Sequence, residues 1–202
     1  MNVLNKIIQT SERLFTTYGL KSISMDDIAT DIGISKKTIY KHFSTKDKLI
    51  NITLSHFLKR EKQLVAKIHL NSENAVEEII TIGRHILKMT GKLRPTLVFD
   101  LKKYHPKNWD LVEKHHHEFI HDVIKQNIER GIKEGNFRSS LNPDIIAKLY
   151  VAKSLVISDE TNFKGMGLGL NELLKEHLLY HLYGVLSEEG VKLVTKYELE
   201  TI

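Results

Sequence analysis

The sequence predicts an all-α fold, in which an N-terminal three-helix domain with a helix-turn-helix precedes a larger C-terminal helical domain. Three observations predict it. Apolar residues recur at helical spacing along most of the 202 residues, and no tract shows the sustained two-residue alternation of a β-strand. Proline occurs only three times, and clear helix start and stop signals divide the chain. We place the boundary at about residue 50, which gives domains 1–50 and 51–202.

The distribution of charge separates the same two regions. Residues 1–60 contain ten Lys/Arg against five Asp/Glu, and residues 61–202 contain twenty of each, so the net charge of +5 lies entirely in the N-terminal region. Such asymmetry indicates an N-terminal domain that binds a polyanion. From charge alone, a lysine-rich solvated surface is an equally good interpretation.

Composition also excludes several classes of protein. The chain contains no cysteine, which excludes disulfides, a thiolate nucleophile and cysteine-ligated zinc. Its first residues lack the apolar run of a signal peptide, and no stretch approaches the roughly 18 apolar residues of a membrane span. We therefore expect a cytoplasmic protein.

The first two helices are predicted from an apolar stripe and two caps. The stripe over residues 7–18 ends at Gly19, whose freedom at positive φ suits a helix C-terminus. Ser24 then precedes "MDDIATDI", with Asp27 three residues later as in a capping box. This pattern predicts a short second helix at about 25–31.

A glycine turn leads into the third helix. Gly33 ends the second helix, and Ser35 is placed to cap the next one. Two short helices joined in this way form a helix-turn-helix. Thr45 caps a longer fourth helix that is predicted to run to about Leu70.

The third helix has one apolar side and one basic side. Ile39 and Phe43 lie one turn apart and define its buried side. The opposite half carries Lys37, Tyr40 and Lys41, with Thr38 at its margin. Lysine can donate to guanine or phosphate, threonine can contact a thymine methyl, and tyrosine can donate to phosphate. The pattern therefore predicts a helix that enters the major groove of DNA.

The rest of the chain reads as further helices. They are predicted at about 73–90, 93–104, 107–134, 143–157 and 171–187. Asn142-Pro143-Asp144 is a clear helix start. The glycines of the loop "SDETNFKGMGLGLN" are not interpreted as a nucleotide site, because no strand precedes them.

The N-terminal segment "SERLFTTYGLKSISMDDIATDIGISKKTIYKHFSTKDKL" closely resembles the DNA-binding domain of the tetracycline-repressor (TetR/AcrR) family of bacterial transcriptional regulators. The resemblance covers residues of about 7–50 and includes many positions in order: Leu14-Phe15, Gly19, Ile28-Ala29, Gly33-Ile34-Ser35, Thr38-Ile39-Tyr40, His42-Phe43, Lys46 and Leu49. Lys37 stands where relatives often carry glycine or another small residue.

The resemblance implies a homodimer on a roughly palindromic DNA operator, which usually represses transcription. Two reading helices would enter successive major grooves about 34 Å apart. The expected DNA contacts are Ser24, Ser35, Lys36, Lys37, Thr38, Tyr40, Lys41, His42 and Lys46, with Lys46 bound to a phosphate at the first turn of the fourth helix.

The resemblance also implies that the last two long helices form the dimer. A stripe on the last helix permits this: Leu173, Leu174, His177, Leu178, His181 and Val185. The alternative is that the stripe packs inside its own subunit.

In the family, a small-molecule effector binds in the C-terminal domain and releases the DNA. We expect a mostly apolar or amphipathic effector with a few polar anchors. The predicted face of the helix at 107–134 centres on Ile120 and places Glu113, His116 and Asn127 among apolar residues. The candidate pocket residues are His85, Phe99, Tyr104, Trp109, Glu113, His116, Phe119, Ile120 and Val123.

The run "EKHHHEFIHD" permits a metal interpretation that we set aside. His117 and His121 are four residues apart and can share one metal on a helix face, with Glu113 or Glu118 as a further ligand. His121 and Glu118 drift off the apolar face, so we expect solvated side chains, no metal and no cofactor.

Three classes of function remain open at this stage. The first is a ligand-responsive repressor. The second is a DNA-binding regulator without a small-molecule effector, controlled by a protein partner. The third, a metal-dependent enzyme that uses the histidine cluster, lacks a recognisable nucleophile and a complete ligand set, and we expect no enzymatic activity.

Overall fold

The computed structural model describes residues 2–94 and 96–197, and the all-α prediction is confirmed there. The helices follow the predicted order: α1 Val3–Tyr18, α2 Met25–Ile32, α3 Lys36–His42, α4 Lys46–Asn71, α5 Ala75–Thr90, α6 Thr96–Tyr104, α7 Pro106–His115, α8 His121–Lys133, α9 Pro143–Ile157, α10 Leu170–Val185 and α11 Glu188–Lys196. Pro95, inside the helix predicted at 93–104, lies outside the described residues.

Two details differ from the prediction. The helix predicted at 107–134 is interrupted by a π-helical turn, His116–Ile120, between α7 and α8. The helix predicted at 171–187 ends at Val185, and α11 follows it with Ser187 as its N-cap. An isolated antiparallel bridge joins Phe137 to Leu186.

The chain forms two compact units. The N-terminal unit comprises Met1–Glu61 with Lys92–Val112, and the C-terminal unit comprises Lys62–Gly91 with Glu113–Ile202. The N-terminal unit thus includes α6 in addition to the helix-turn-helix. The domain boundary at about residue 50 stays a prediction.

The core of the N-terminal unit is built from one face of each short helix. Helices α1 and α2 pack together, and α2 packs on α3. The buried side chains include Ile7, Leu14, Phe15, Ile28, Ile32, Ile39, Phe43 and Leu49. Burying such apolar surface is the main stabilising contribution to so small a unit. It holds α3 rigidly by its apolar side.

The core of the C-terminal unit lies among α5, α8, α9 and α10. Its buried residues include Val76, Ile79, Ile80, Ile124, Ile128, Phe137, Ala147, Leu178, Leu182 and Val185. Gly131 makes this packing possible, because a Cβ there would lie 2.1 Å from the Phe137 ring. Within the described ranges, none of the helices combines the length and apolar composition needed to cross a bilayer.

The apolar stripe on α10 packs inside its own subunit. Leu173, His177, Leu178, His181 and Val185 are buried in the C-terminal unit, and Leu174 packs against the same core. The alternative given above, that the stripe packs inside its own subunit, is therefore correct. The prediction that these residues form the dimer surface is wrong. The reason is that α5 covers this side of α10.

Candidate functional site

Three caps define the helix-turn-helix. Ser24 and Asp27 form the predicted capping box, with the Ser24 N–H donating to the Asp27 carboxylate at 2.7 Å and Asp27 N–H donating to Ser24 Oγ at 3.1 Å. Gly33 ends α2 in the left-handed region, at φ 77°. Ser35 Oγ then accepts from Thr38 N–H at 3.1 Å. These caps confirm the start and end of each helix read from the sequence.

The basic side of α3 is exposed above a buried seam. Ile39 and Phe43 are fully buried, whereas Lys37, Tyr40, Lys41 and His42 are exposed. Thr38 is partly buried at the margin. The predicted two-sided character of α3 is confirmed, so a surface of lysine, tyrosine and histidine is presented on a rigid support.

Several of the predicted contact residues already have partners inside the N-terminal unit. Lys36 Nζ lies 2.5 Å from Asp26 of α2, and this hydrogen bond raises the pKa of Lys36 above its ordinary value. Ser35 Oγ lies 2.8 Å from Thr38 Oγ1. Both contacts are exposed, so phosphate or base contacts from these residues stay predictions.

Lys46 is oriented differently from its predicted role. It occupies the first turn of α4, but its Nζ donates to the backbone carbonyl of Leu20 and lies 5.9 Å from the centre of the Phe15 ring. Burial lowers the pKa of Lys46 below its ordinary value. The side chain is thus directed into the N-terminal unit.

Between α7 and α8, the π-helical turn changes which histidine is buried. His115 is only 9% exposed, whereas Glu113 is exposed and His116 is partly buried. The prediction of an inward Glu113 is therefore wrong, because a π-helical turn adds one residue and rotates everything before it by about a third of a turn. Asn127 lies after the π-helical turn and is buried as predicted, donating to the Ala75 carbonyl at 2.9 Å.

His115 is an unusual core residue. Within residues 2–94 and 96–197 its Nδ1 has no hydrogen-bond partner, and its ring packs against Phe119 at 5.0 Å between centroids. Burial lowers the pKa of His115 to about 4, so the imidazole is neutral at pH 7. Lys62 of α4 lies 5.1 Å from the Phe119 ring. A buried polar atom without a partner is costly unless a ligand or water satisfies it.

The other predicted pocket residues are divided between the two units. Trp109 is buried in the N-terminal unit, where Phe99 and Tyr104 are exposed and meet edge to face at 6.5 Å. His85, Phe119, Ile120 and Val123 belong to the C-terminal unit and are partly buried. Their convergence on one pocket stays a prediction.

The histidine run has no metal-like arrangement in the described residues. His117 is exposed, and His121 lies between two carboxylates, 3.1 Å from Asp122 and 3.3 Å from Asp144. Across residues 2–94 and 96–197, no three His, Asp or Glu side chains are grouped so that they can hold a metal ion.

An apolar surface lies on the outer side of α9 and α10. Ile145, Leu149 and Val156 are exposed on α9 at helical spacing, and Tyr180 and Tyr183 are exposed on α10. Tyr180 is 72% exposed. We call these five residues the α9/α10 face. Exposed apolar side chains gathered on two helices that pack together are typical of an interaction site.

Comparisons with known proteins agree with this geometry. The sequence profile described as "Bacterial regulatory proteins, tetR family" matches residues 7–51, which contain α1, α2, α3 and the start of α4. The HTH-type transcriptional regulator YvaF of Bacillus subtilis is 28% identical over 149 residues, covering 72% of this chain and 76% of YvaF. The HTH-type transcriptional repressor KstR2 of Mycolicibacterium smegmatis is 22% identical and covers 93% of each chain.

Solved structures share the fold. A TetR-family transcriptional regulator from Agrobacterium tumefaciens superposes with a TM-score of 0.71 at 17% identity, covering 91% of this chain and 97% of that one. A transcriptional regulator from Saccharomonospora viridis in complex with choline gives 0.68 at 20% identity, covering 92% and 98%. The members of this family are regulators, not enzymes. Residues 7–51 of this chain, which contain α1 to α3 and the start of α4, therefore form a DNA-binding domain of the TetR family.

Proposed function

We propose that this regulator represses transcription by binding a two-fold symmetric operator as a homodimer, and that a small apolar effector in the C-terminal unit releases it. The observation that carries the proposal is the row of exposed polar side chains on α3 above the buried Ile39 and Phe43. One helix of this length contacts few bases, so two symmetry-related copies are needed for useful specificity.

In this proposal, α3 reads the major groove and its neighbours fix its position. Lys37 and Lys41 are the candidate base-reading residues, because both are exposed on α3. Tyr40 and His42 are placed to donate to phosphates. Lys36, paired with Asp26, is expected to contribute less, since a phosphate would have to compete with that carboxylate.

Replacing Lys37 or Lys41 tests direct reading. Lys37→Ala and Lys41→Ala are each expected to weaken operator binding by about 1–3 kcal/mol and to relax preference at one position in each half-site. The measurement is selection of binding sites from a random duplex library, followed by titration of the selected duplexes. Lys48→Ala, an exposed lysine on α4, serves as the control. If both α3 variants select the wild-type consensus, Lys37 and Lys41 contact only the sugar-phosphate backbone of the DNA.

The α9/α10 face supports the homodimer. It lies on the side of both helices opposite the core, because the inward positions of α9 and α10 are already covered within the subunit. A row of exposed aliphatic and tyrosine side chains at helical spacing suits packing against the same row of a second copy. The two long helices predicted to dimerise are thus retained, while the contacting residues are different ones.

The region of His115 supports effector binding in the C-terminal unit. A neutral imidazole with an unsatisfied Nδ1, beside the Phe119 ring, suits a ligand that is mainly apolar and carries one hydroxyl, keto or ester group. Because the Lys62 ammonium already lies over Phe119, a quaternary ammonium is disfavoured there. The proposed effector therefore differs in class from the choline bound by the S. viridis protein.

Effector control is tested by release of DNA. Medium-chain alcohols, ketones and esters, with choline as the cationic comparison, are titrated into the protein bound to its selected operator. Release of DNA by an active compound should be weakened in His115→Ala and in Phe119→Ala. The affinity of both variants for the operator without the compound should stay nearly unchanged. Linkage requires operator DNA to weaken effector binding by the same factor. The control is His117→Ala, an exposed neighbour. Full release from both variants would place the pocket elsewhere.

A further inference from the structure

The turn between α1 and α2 is held by two charged side chains from outside the turn. Asp100 of α6 is only 7% exposed, and its carboxylate accepts from the Lys21 backbone N–H at 3.2 Å. Lys46 of α4 donates to the backbone carbonyl of the preceding residue, Leu20. One carboxylate and one ammonium therefore satisfy adjacent backbone groups of the same turn.

The close approach of α6 depends on Gly19. Its φ of 88° is in the left-handed region, and a Cβ there would lie 3.2 Å from Asp100 Oδ2 and 3.4 Å from Arg94 Cδ. The Arg94 N–H also donates to the Thr16 carbonyl at the end of α1, at 2.9 Å. The start of α6 is thus fastened to the end of α1 by backbone and side-chain contacts inside the N-terminal unit.

The charges of the two side chains support one another. Burial disfavours the charged form of Lys46, and the negative charge of Asp100 is the strongest of the nearby carboxylate charges that favour it. An ammonium that is partly buried, donates to a backbone carbonyl and lies near a carboxylate stabilises the fold of its own unit. Its orientation leaves it badly placed to neutralise a phosphate.

We propose that Asp100 and Lys46 are positioning residues for DNA binding, which hold the α1–α2 turn and thereby fix the direction in which α2 and α3 leave α1. Asp100 lies outside the residues that match the family profile, and Lys46 acts through the turn instead of through a phosphate. The proposal rests on DNA binding by α3, which the Lys37→Ala control below checks separately.

The test separates positioning from phosphate contact by salt dependence. Each lost phosphate contact lowers the slope of log K against log salt by about one. We expect Lys46→Met and Asp100→Asn each to weaken binding of the selected operator by about tenfold, as for loss of one charged hydrogen bond, with the wild-type slope. Lys37→Ala should change the affinity or the consensus whether or not Asp100 and Lys46 hold the α1–α2 turn. Lys103→Met changes an exposed lysine on α6 and should leave the operator affinity and the salt slope unchanged.

Two further readouts complete the test. The effect of the double variant Lys46→Met/Asp100→Asn should be smaller than the product of the single effects, because both side chains hold one turn. Amide exchange at Lys21 in the free protein, which needs no DNA, should quicken in each single variant while exchange at Ile39 stays slow. Asp100→Asn is nearly isosteric and leaves no cavity. A slope lowered by about one in Lys46→Met, or wild-type Lys21 exchange in both variants, would overturn the proposal.

Discussion

Leu149→Glu combined with Val156→Glu is expected to convert the protein into a monomer and to weaken operator binding at least about 100-fold, the size of a typical loss of bivalency. Both side chains are exposed on the α9/α10 face, so the change costs the isolated subunit little. In a dimer it would bury four carboxylates without partners, which is strongly unfavourable.

Leu70 supplies the matched control for this experiment. It is 82% exposed, also in the C-terminal unit, and lies outside the α9/α10 face. Leu70→Glu should keep the wild-type mass in sedimentation equilibrium and the wild-type operator affinity. A double variant at 149 and 156 that stays dimeric would show that the dimer forms on another surface.

Acidification is expected to destabilise the C-terminal unit strongly. His177 and His181 are 6% and 5% exposed, and both rings pack against Tyr150. Their Nε2 atoms find no hydrogen-bond partner in the part of the chain that the structure describes. Burial lowers the pKa of His177 to about 4 and that of His181 to about 3. Lys153, a nearby cation, lowers both further.

The direction of the effect follows from proton binding. In the unfolded chain these histidines bind protons as the pH falls through about 6.5, whereas in the folded chain they stay neutral until the pH is near 4. The contribution of the neutral rings to the free energy of unfolding is therefore fully present above a pH of about 6.5, and it is lost as the pH falls towards 4. The loss approaches about 1.4 kcal/mol per pH unit for each histidine within that window.

Urea unfolding at pH 7 and pH 4.5 measures this loss. His181→Phe keeps an aromatic ring beside Tyr150 and removes the titrating group, so its free energy of unfolding should fall less between the two pH values than that of the wild type. His117→Phe changes an exposed position, so its free energy of unfolding should fall as much as that of the wild type. Equal losses in all three proteins would mean that His181 is not held neutral by burial.

The N-terminal unit was largely predictable because its determinants are local. Ser24, Gly33 and Ser35 act on backbone groups within three residues, and the exposed side of α3 follows directly from helical spacing. The role of Asp100 was not predictable in this way, since its partner N–H is 79 residues away in sequence. The signal that could have indicated a buried carboxylate is the single aspartate within the apolar run "LVFDL", which the sequence analysis did not use.

The errors in the C-terminal unit have a common physical origin. Periodicity assigns a face only while the helix keeps 3.6 residues per turn, and the π-helical turn before His121 moved the buried position from His116 to His115. Because His115, His116 and His117 are consecutive, a shift by one residue still places a histidine at the buried position. The sequence therefore contains no sign of the shift. The α10 stripe was predicted to form the dimer, and this was wrong, because periodicity shows that a stripe is apolar but cannot tell whether α5 or a second subunit covers it.

Footprinting of the 202-residue protein on a selected duplex tests the central claim most directly. The account predicts two protected half-sites of related sequence, with centres separated by one helical turn, roughly 34–36 Å, or a multiple of it. It also predicts that Lys37→Ala alters the consensus equally in both half-sites. Protection without sequence preference, or of a single half-site by the dimer, would contradict the assignment of α3 as the reading helix of a two-fold symmetric regulator.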